Sequence, residues 1–255
     1  MSEKKESIGV VIVDDEELAR RLLREYLEWH PEVTILAECA NGFEAVKAVA
    51  ELKPDVLLLD IQMPKLDGFE VLELIEENIA VIFITAYDTY AIRAFDVHAV
   101  DYLLKPFTAE RFDAALARAR ERLGEAKVSA VTLADAARPP AQYLERIAVR
   151  NGASVTLIPV AKLDYVEAQD DYVCLHSGGS THMKQQTIAS LESRLDPVAF
   201  VRVHRSYVVN LDRVVRIEPY SKDSRVAILR DGTRLAVSRT GLARLNEALG
   251  EAGGG

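Results

Sequence analysis

The chain has 255 residues, 49% hydrophobic and 28% charged, a length that suggests two domains and a composition that excludes global disorder. No apolar run approaches the ~18 residues of a membrane helix, the charged start Met1–Ser7 does not read as a secretory signal, and two cysteines, Cys39 and Cys174, exclude a disulfide scaffold or a cysteine zinc site and point to a reducing cytosol. The net charge of −9 is unevenly spread: residues 1–124 carry 14 basic against 25 acidic side chains, residues 125–255 carry 17 against 15, and residues 198–244 alone carry 10 against 4, so a polyanion partner suits only the second half.

Residues 8–14 (IGVVIVD) read as a buried strand, followed by a helix in which Leu18, Leu22 and Tyr26 recur at i+4. The alternation continues with a strand at 33–38, a helix at 42–52, a strand at 55–60 and a helix near 68–77. A strand at 80–85, a helix near 89–95, a strand at 100–104 and a last helix capped by Thr108 complete it. Five β-α units with near-continuous Val/Ile/Leu strands predict a doubly wound, five-stranded parallel sheet covered on both faces, a flavodoxin-like α/β domain.

Residues 125–143 are Ala-rich and contain Pro139-Pro140, which cannot continue a helix, so they read as a linker. Beyond it the hydrophobic period becomes two. Strand-like runs at 146–150, 154–159, 164–168, 172–176, 200–203, 214–218, 225–229 and 234–237 are punctuated by Asn151-Gly152, Gly178-Gly179 and Asp231-Gly232. Two helices interrupt them, at 188–195 after a Thr187 cap and at 240–249. The second domain is expected to be mainly β.

In an open parallel sheet, ligands sit at the carboxyl ends of the strands. Those ends carry Asp14, Asp15, Asp60, Thr85 and Lys105. Each of these residues alone is an ordinary cap or surface group; their joint occurrence at four strand ends is the signal. Carboxylates 4 Å apart repel by about 4 kcal/mol per pair at an effective dielectric near 20, unless a cation lies among them. Mg²⁺, a hard cation that keeps waters and accepts a phosphate oxygen, fits such a site. Asp60 is then a nucleophile able to take a phosphoryl group, with Lys105 pairing one of its oxygens and Thr85 hydrogen-bonding it.

Val11-Ile-Val-Asp-Asp15, Leu57-Leu-Leu-Asp-Ile-Gln-Met-Pro64 with Asp67-Gly68, Ile84-Thr-Ala86 and Asp101-Tyr-Leu-Leu-Lys-Pro-Phe107 resemble, in order, the motifs of the receiver domain of two-component response regulators. The resemblance covers residues 7–123. It implies phosphorylation of Asp60 by a sensor histidine kinase and Mg²⁺ held by Asp15, Asp60 and the backbone carbonyl of Gln62, with Asp14 acting through water. It also implies a switch pair of Thr85 and Tyr102, a cis Lys105–Pro106 peptide, and a homodimer on phosphorylation. That dimer would use the face of the fourth helix, fifth strand and fifth helix, where Asp101, Arg118 and Arg122 are available for charge pairs.

Residues 144–250, after a linker at 124–143, resemble a LytTR-type DNA-binding domain through Phe200-Val-Arg-Val-His-Arg-Ser-Tyr-Val-Val-Asn-Leu211, Val214-Val-Arg-Ile-Glu218 and Leu235-Ala-Val-Ser-Arg239. Together the two resemblances describe the LytR/AlgR group of transcription regulators, cytoplasmic and without enzymatic turnover beyond self-catalysed phosphotransfer and dephosphorylation. They imply double-stranded promoter DNA as the partner, read by Asp171, by the His204-Arg205-Ser206 turn and by Arg239. Arginine suits bidentate contact with guanine in the major groove. Two other classes compete. An aspartyl-phosphate hydrolase needs a general acid two residues after Asp60, where this chain has Gln62; an output domain binding protein or RNA would show no preference among duplexes. The five histidines have no metal-ligand spacing, and no zinc site is expected.

Overall fold

The structure, a computed structural model, describes residues 7–75, 79–86, 100–123, 143–152, 154–221 and 224–250. The chain divides into two compact units, Met1–Pro139 and Pro140–Gly255.

The first unit is built from β1 (Ile8–Val13), α1 (Glu17–Leu27), β2 (Val33–Cys39), α2 (Gly42–Leu52), β3 (Val56–Leu59), α3 (Gly68–Leu74), β4 (Ala80–Thr85), β5 (Asp101–Leu104) and α4 (Ala109–Arg122). Its strands pair in the order β2-β1-β3-β4-β5, all parallel. Val10 and Ile12 with Leu58, Ile82, Phe112 and Leu116 form one buried cluster. Val11, Val13, Leu57 and Leu59, of the opposite parity, are equally buried. A sheet buried on both faces explains why its strands read as unbroken apolar runs instead of alternating ones. The helices begin where short polar side chains satisfy free amides: Asn41 accepts from the Glu44 amide, Asp67 and Glu70 form a reciprocal capping box, and Thr108 accepts from the Arg111 amide. The helix expected near 89–95 lies outside the described residues, and the one expected near 68–77 ends earlier, at Leu74, with Ile75 in extended conformation.

The second unit has three sheets. A five-stranded sheet, β10-β9-β8-β12-β11, combines β8 (Leu163–Gln169), β9 (Tyr172–Ser177), β10 (Ser180–Gln185), β11 (Phe200–His204) and β12 (Tyr207–Asn210). The hairpin of β6 (Arg146–Asn151) and β7 (Ser154–Pro159) and the helix α5 (Ile188–Glu192) share a core with Val166, Val173, Leu175, Phe200 and Val208 of that sheet. A second core joins Val201, Val203 and Val209 to Ala227, Leu229, Leu235, Val237 and Leu245. These last belong to the antiparallel sheet of β13 (Val214–Ser221), β14 (Ser224–Leu229) and β15 (Arg234–Val237), and to α6 (Arg239–Ala248). Adjacent residues such as Phe200/Val201 and Val208/Val209 serve opposite cores, as the two-residue period of a strand dictates.

Two strands, β10 and β12, go beyond the sequence expectation. β10 (STHMKQ) is an edge strand, largely exposed apart from Lys184, and so carries no apolar alternation. β12 is only four residues long and follows β11 through Arg205-Ser206, a turn with no glycine to mark it. The helix expected over 188–195 is a shorter one, Ile188–Glu192.

Candidate functional site

In the first unit the carboxyl ends of β1, β3, β4 and β5 converge. Asp14 follows β1 and is fully buried; its amide donates to the Cys39 carbonyl at 3.1 Å. Asp60 follows β3, is 5% exposed, and its amide donates to the Val13 carbonyl at 2.9 Å. Parallel pairing of β1 with β3 therefore sets the two carboxylates side by side, and Asp15 presents a third, exposed one. Ligand oxygens of all three lie within 4.8 Å of one another. Lys105, just after β5, donates from Nζ to Asp14 Oδ2 at 2.6 Å and to Asp60 Oδ2 at 2.9 Å. Its amide donates to the Thr85 carbonyl at 2.8 Å, and the Lys105–Pro106 peptide is cis.

Backbone donors complete the cage. The Glu16 amide donates to Asp14 Oδ1 at 3.0 Å and the Gln62 amide to Asp60 Oδ1 at 3.2 Å, while Arg20 donates to the Asp14 carbonyl at 2.7 Å. Gly68 is pressed against this loop: a Cβ there would lie 2.5 Å from the Asp60 carbonyl oxygen, which is why the Asp67-Gly68 pair ends it. Burial pushes the Asp14 carboxyl above its usual range, against the pull of the Lys105 ammonium. Burial also opposes the charge of Lys105, but its bonds to Asp14 and Asp60 outweigh that and hold its pKa up. Three carboxylates and one ammonium leave two formal negative charges uncompensated. Such an all-oxygen, hard donor set fits a divalent cation of the Mg²⁺ kind. Thr85 Oγ1 is buried nearby in sequence order on β4 and has no hydrogen-bond partner among the described residues.

Tyr102 lies opposite Phe83 in the β4–β5 register and is buried, its ring 6.5 Å from that of Phe83. Asp101 has a partner that the sequence did not suggest. Its fully buried carboxylate takes a two-pronged bond from Arg111 at 2.7 and 2.8 Å, another from Arg118, and one from the Tyr102 amide at 2.8 Å. Burial works against its charge, but these donors outweigh it and hold the carboxyl below its usual range. Asp101 and Arg118, offered by the sequence as a reserve for contacts between protomers, are thus engaged with each other inside one chain.

In the second unit His204 closes β11, Arg205 and Ser206 form the turn, and Arg239 opens α6. The Ser206 amide donates to His204 Nδ1 at 3.2 Å, which places the ring proton on Nε2. A cleft of about 420 Å³ is lined by Glu192, Arg202, His204, Arg205, Thr240 and Arg244. Ser238, the cap of α6, donates from its amide to the Val203 carbonyl at 2.8 Å, and a Cβ on Gly241 would lie 1.8 Å from that same oxygen. The end of β11, just before the turn, and the start of α6 are therefore packed backbone to backbone. Asp171 is exposed in the β8–β9 turn, outside the lining of this cleft. The basic stretch is less free than its composition suggests: Arg202 and Arg244 pair with Glu192, Arg213 with Asp164, and Arg216 and Arg234 with Glu218. Arg205 is exposed and makes no ion pair among the described residues.

A parallel sheet with acid groups and a lysine gathered at its switch point, followed in the same chain by an antiparallel module with an arginine-lined cleft, defines a two-part signalling protein. Residues 10–117 match the family model described as the response regulator receiver domain, and residues 153–250 match that of the LytTr DNA-binding domain. The chain is 38% identical over 249 residues to transcriptional regulatory protein BtsR of Escherichia coli (strain K12), covering 95% of this chain and 99% of that one. It is 32% identical over 252 residues to sensory transduction protein LytT of Bacillus cereus, with the same coverage. Among solved structures, the response regulatory domain of protein mrkE from Klebsiella pneumoniae is 30% identical, with a TM-score of 0.43 over 47% of this chain and 100% of that one. The chain belongs to the response regulators that join a receiver domain to a LytTR DNA-binding domain. Among the described residues no helix is long and apolar enough to cross a membrane.

Proposed function

We propose that this chain is a cytoplasmic transcription regulator switched by phosphorylation of Asp60, with residues 7–123 as receiver, 124–143 as linker and 144–250 as DNA-binding module. The observation that carries the reading is the Lys105 ammonium bridging Asp14 and Asp60 within a cluster of three carboxylates. In this reading an Asp60 oxygen attacks the phosphorus of a phosphohistidine on a sensor histidine kinase. The new O–P bond forms as the N–P bond breaks, and the electron pair returns to the imidazole, which takes up a proton from water. The Gln62 amide orients the attacking carboxylate, and Lys105 is within reach of a phosphoryl oxygen. Mg²⁺ would be held by Asp15, Asp60 and the Gln62 carbonyl, with Asp14 acting through water, and supplies charge neutralisation on the transferring group. Thr85 then gives its hydroxyl to the phosphoryl group, and Tyr102 follows Thr85 in the switch toward a homodimer.

The hydrolase reading lacks its acid: the residue two positions on, Gln62, faces Asp60 with a backbone amide. Incubation with acetyl phosphate and Mg²⁺ should label the wild-type chain once and leave Asp60→Asn unlabelled; equal labelling, or steady turnover of a small phosphate ester, would remove this reading.

The DNA partner is supported by the cleft that gathers His204 and Arg205 with Ser238 and Thr240 at the start of α6; Arg239, next to them in sequence but outside the cleft lining, and Ser206 and Asp171 from the two turns would add contacts. Affinity for a duplex should fall as salt rises, with a log–log slope well short of the about −9 that ten phosphate contacts would give, because five of the ten basic side chains in 198–244 are already paired. Arg205→Ala should cost about 1–3 kcal/mol at the base it reads and leave the salt slope little changed. A chain without preference among duplexes in a mobility-shift titration would favour a protein or RNA partner.

A further inference from the structure

Two-residue β-hairpin turns ordinarily rely on one or two left-handed residues, because only those turns match the twist of the strands they join. The Arg205-Ser206 turn has none: among the described residues, the non-glycine ones with positive φ are Lys53, Lys65 and Asp170. The register also slips between Arg202 and His204, a bulge immediately before the turn. A connection of this kind takes its shape from what grips it. The neighbouring strand β8 holds one side, the Ala168 amide donating to the Ser206 carbonyl at 2.9 Å. The other side is held by Arg202, whose guanidinium donates to the His204 carbonyl at 3.3 Å and to the Arg205 carbonyl at 2.8 Å, and whose third nitrogen donates to Glu192 Oε2 at 2.9 Å. Glu192 Oε1 lies 3.7 Å from Arg244 of α6. One carboxylate therefore ties the turn that presents Arg205 to the helix that begins with Arg239.

On the reading that this face binds DNA, we infer that Glu192 and Arg202 are positioning residues for sequence recognition: they set the turn bearing Arg205 relative to the start of α6 without being the groups that read bases. Guanidinium geometry is what the role requires. A lysine would keep the charge but cannot span three acceptors from a planar fork.

Charge and position give different selectivities for Glu192→Gln. If the carboxylate mattered only through its charge, removing it from a basic face would strengthen binding to every duplex alike. If it positions the turn, affinity for a scrambled duplex rises while the preference for the favoured duplex falls. The experiment selects a favoured duplex from a randomised library with the full wild-type chain. It then measures affinity for that duplex and a scrambled one of equal length, across salt, for wild type, Glu192→Gln and Arg202→Lys. Thermal melting of each variant reports its fold. We expect the favoured-to-scrambled ratio to drop about tenfold in both variants, with the loss falling on the positions that Arg205→Ala relaxes. Ratios within twofold of wild type in either folded variant would overturn the inference. So would a loss spread evenly over all positions. A wild-type chain that selects no favoured duplex would overturn the DNA reading together with it, an outcome distinct from intact wild-type selectivity that the variants share.

Discussion

At the residue scale, the same side-chain types do opposite things according to where the fold leaves them. Asp101 and Asp14 are both buried carboxylates, yet the first sits between two guanidiniums and a backbone amide while the second shares one ammonium with another carboxylate. Their pKa values accordingly move in opposite directions. Because the Asp101 value is lowered on folding, its stabilisation is present above the unfolded value of 3.8 and is lost as pH falls through the lower folded value. Asp101→Asn should cost about 2 kcal/mol at neutral pH, less than a fully buried pair since Arg111 and Arg118 are 36% and 50% exposed. Urea unfolding at stepped pH should show that difference shrinking below about pH 4. Lys105, raised in the folded state, contributes stability that persists through neutrality and is lost only as pH climbs past its raised value, above 10.5. Asp14, Asp60 and Lys105 were legible in the sequence because strand ends of a parallel sheet converge by topology. Arg202 was not: a lone arginine in a basic run gives no sign of whether a carboxylate such as Glu192 waits across the fold.

At the scale of elements, what reads clearly is what is buried on both sides. Ala80–Thr85 and Gly42–Leu52 appear in the structure with the bounds their patterns suggest, because every residue or every turn carries the signal. β10 and β12 do not read clearly, one because its side chains are mostly solvated and the other because it is short and joined by a turn without glycine. Nor does the sequence explain Gly241, the third residue of α6, since glycine is a poor helix former. The fold explains it, since any side chain there would collide with the Val203 carbonyl. Gly241→Ala should therefore destabilise the second unit by about 1–3 kcal/mol or more, despite alanine's better helix propensity, because α6 has to lift off β11. Thermal melting that shows equal or greater stability would contradict the close packing of α6 on that strand.

At the scale of the whole molecule, the charge imbalance seen in composition has two physical outcomes. In the acidic half, three carboxylates against one ammonium meet at one pocket, so a divalent cation should stabilise the chain: Mg²⁺ at a hundred times its dissociation constant adds about 2.7 kcal/mol if it binds only the folded state. Calorimetric melting with and without Mg²⁺ should show that gain in wild type and its loss in Asp15→Asn, which removes an exposed ligand without opening the core. In the other half, ion pairs within the domain consume much of the positive charge, and of the three arginines lining the cleft Arg205 alone makes no ion pair among the described residues. On the proposed reading, the Thr85 hydroxyl, which has no hydrogen-bond partner among the described residues, bears on the balance between unmodified and modified forms. A buried hydroxyl without an acceptor or donor costs about 1–3 kcal/mol. Any modification that supplies it a partner lowers the free energy of the modified form by a similar amount, enough to shift a two-state population by about 5- to 150-fold. On the proposed reading, the unmodified protein is held slightly uphill by one oxygen atom, and a single covalent event lets it relax.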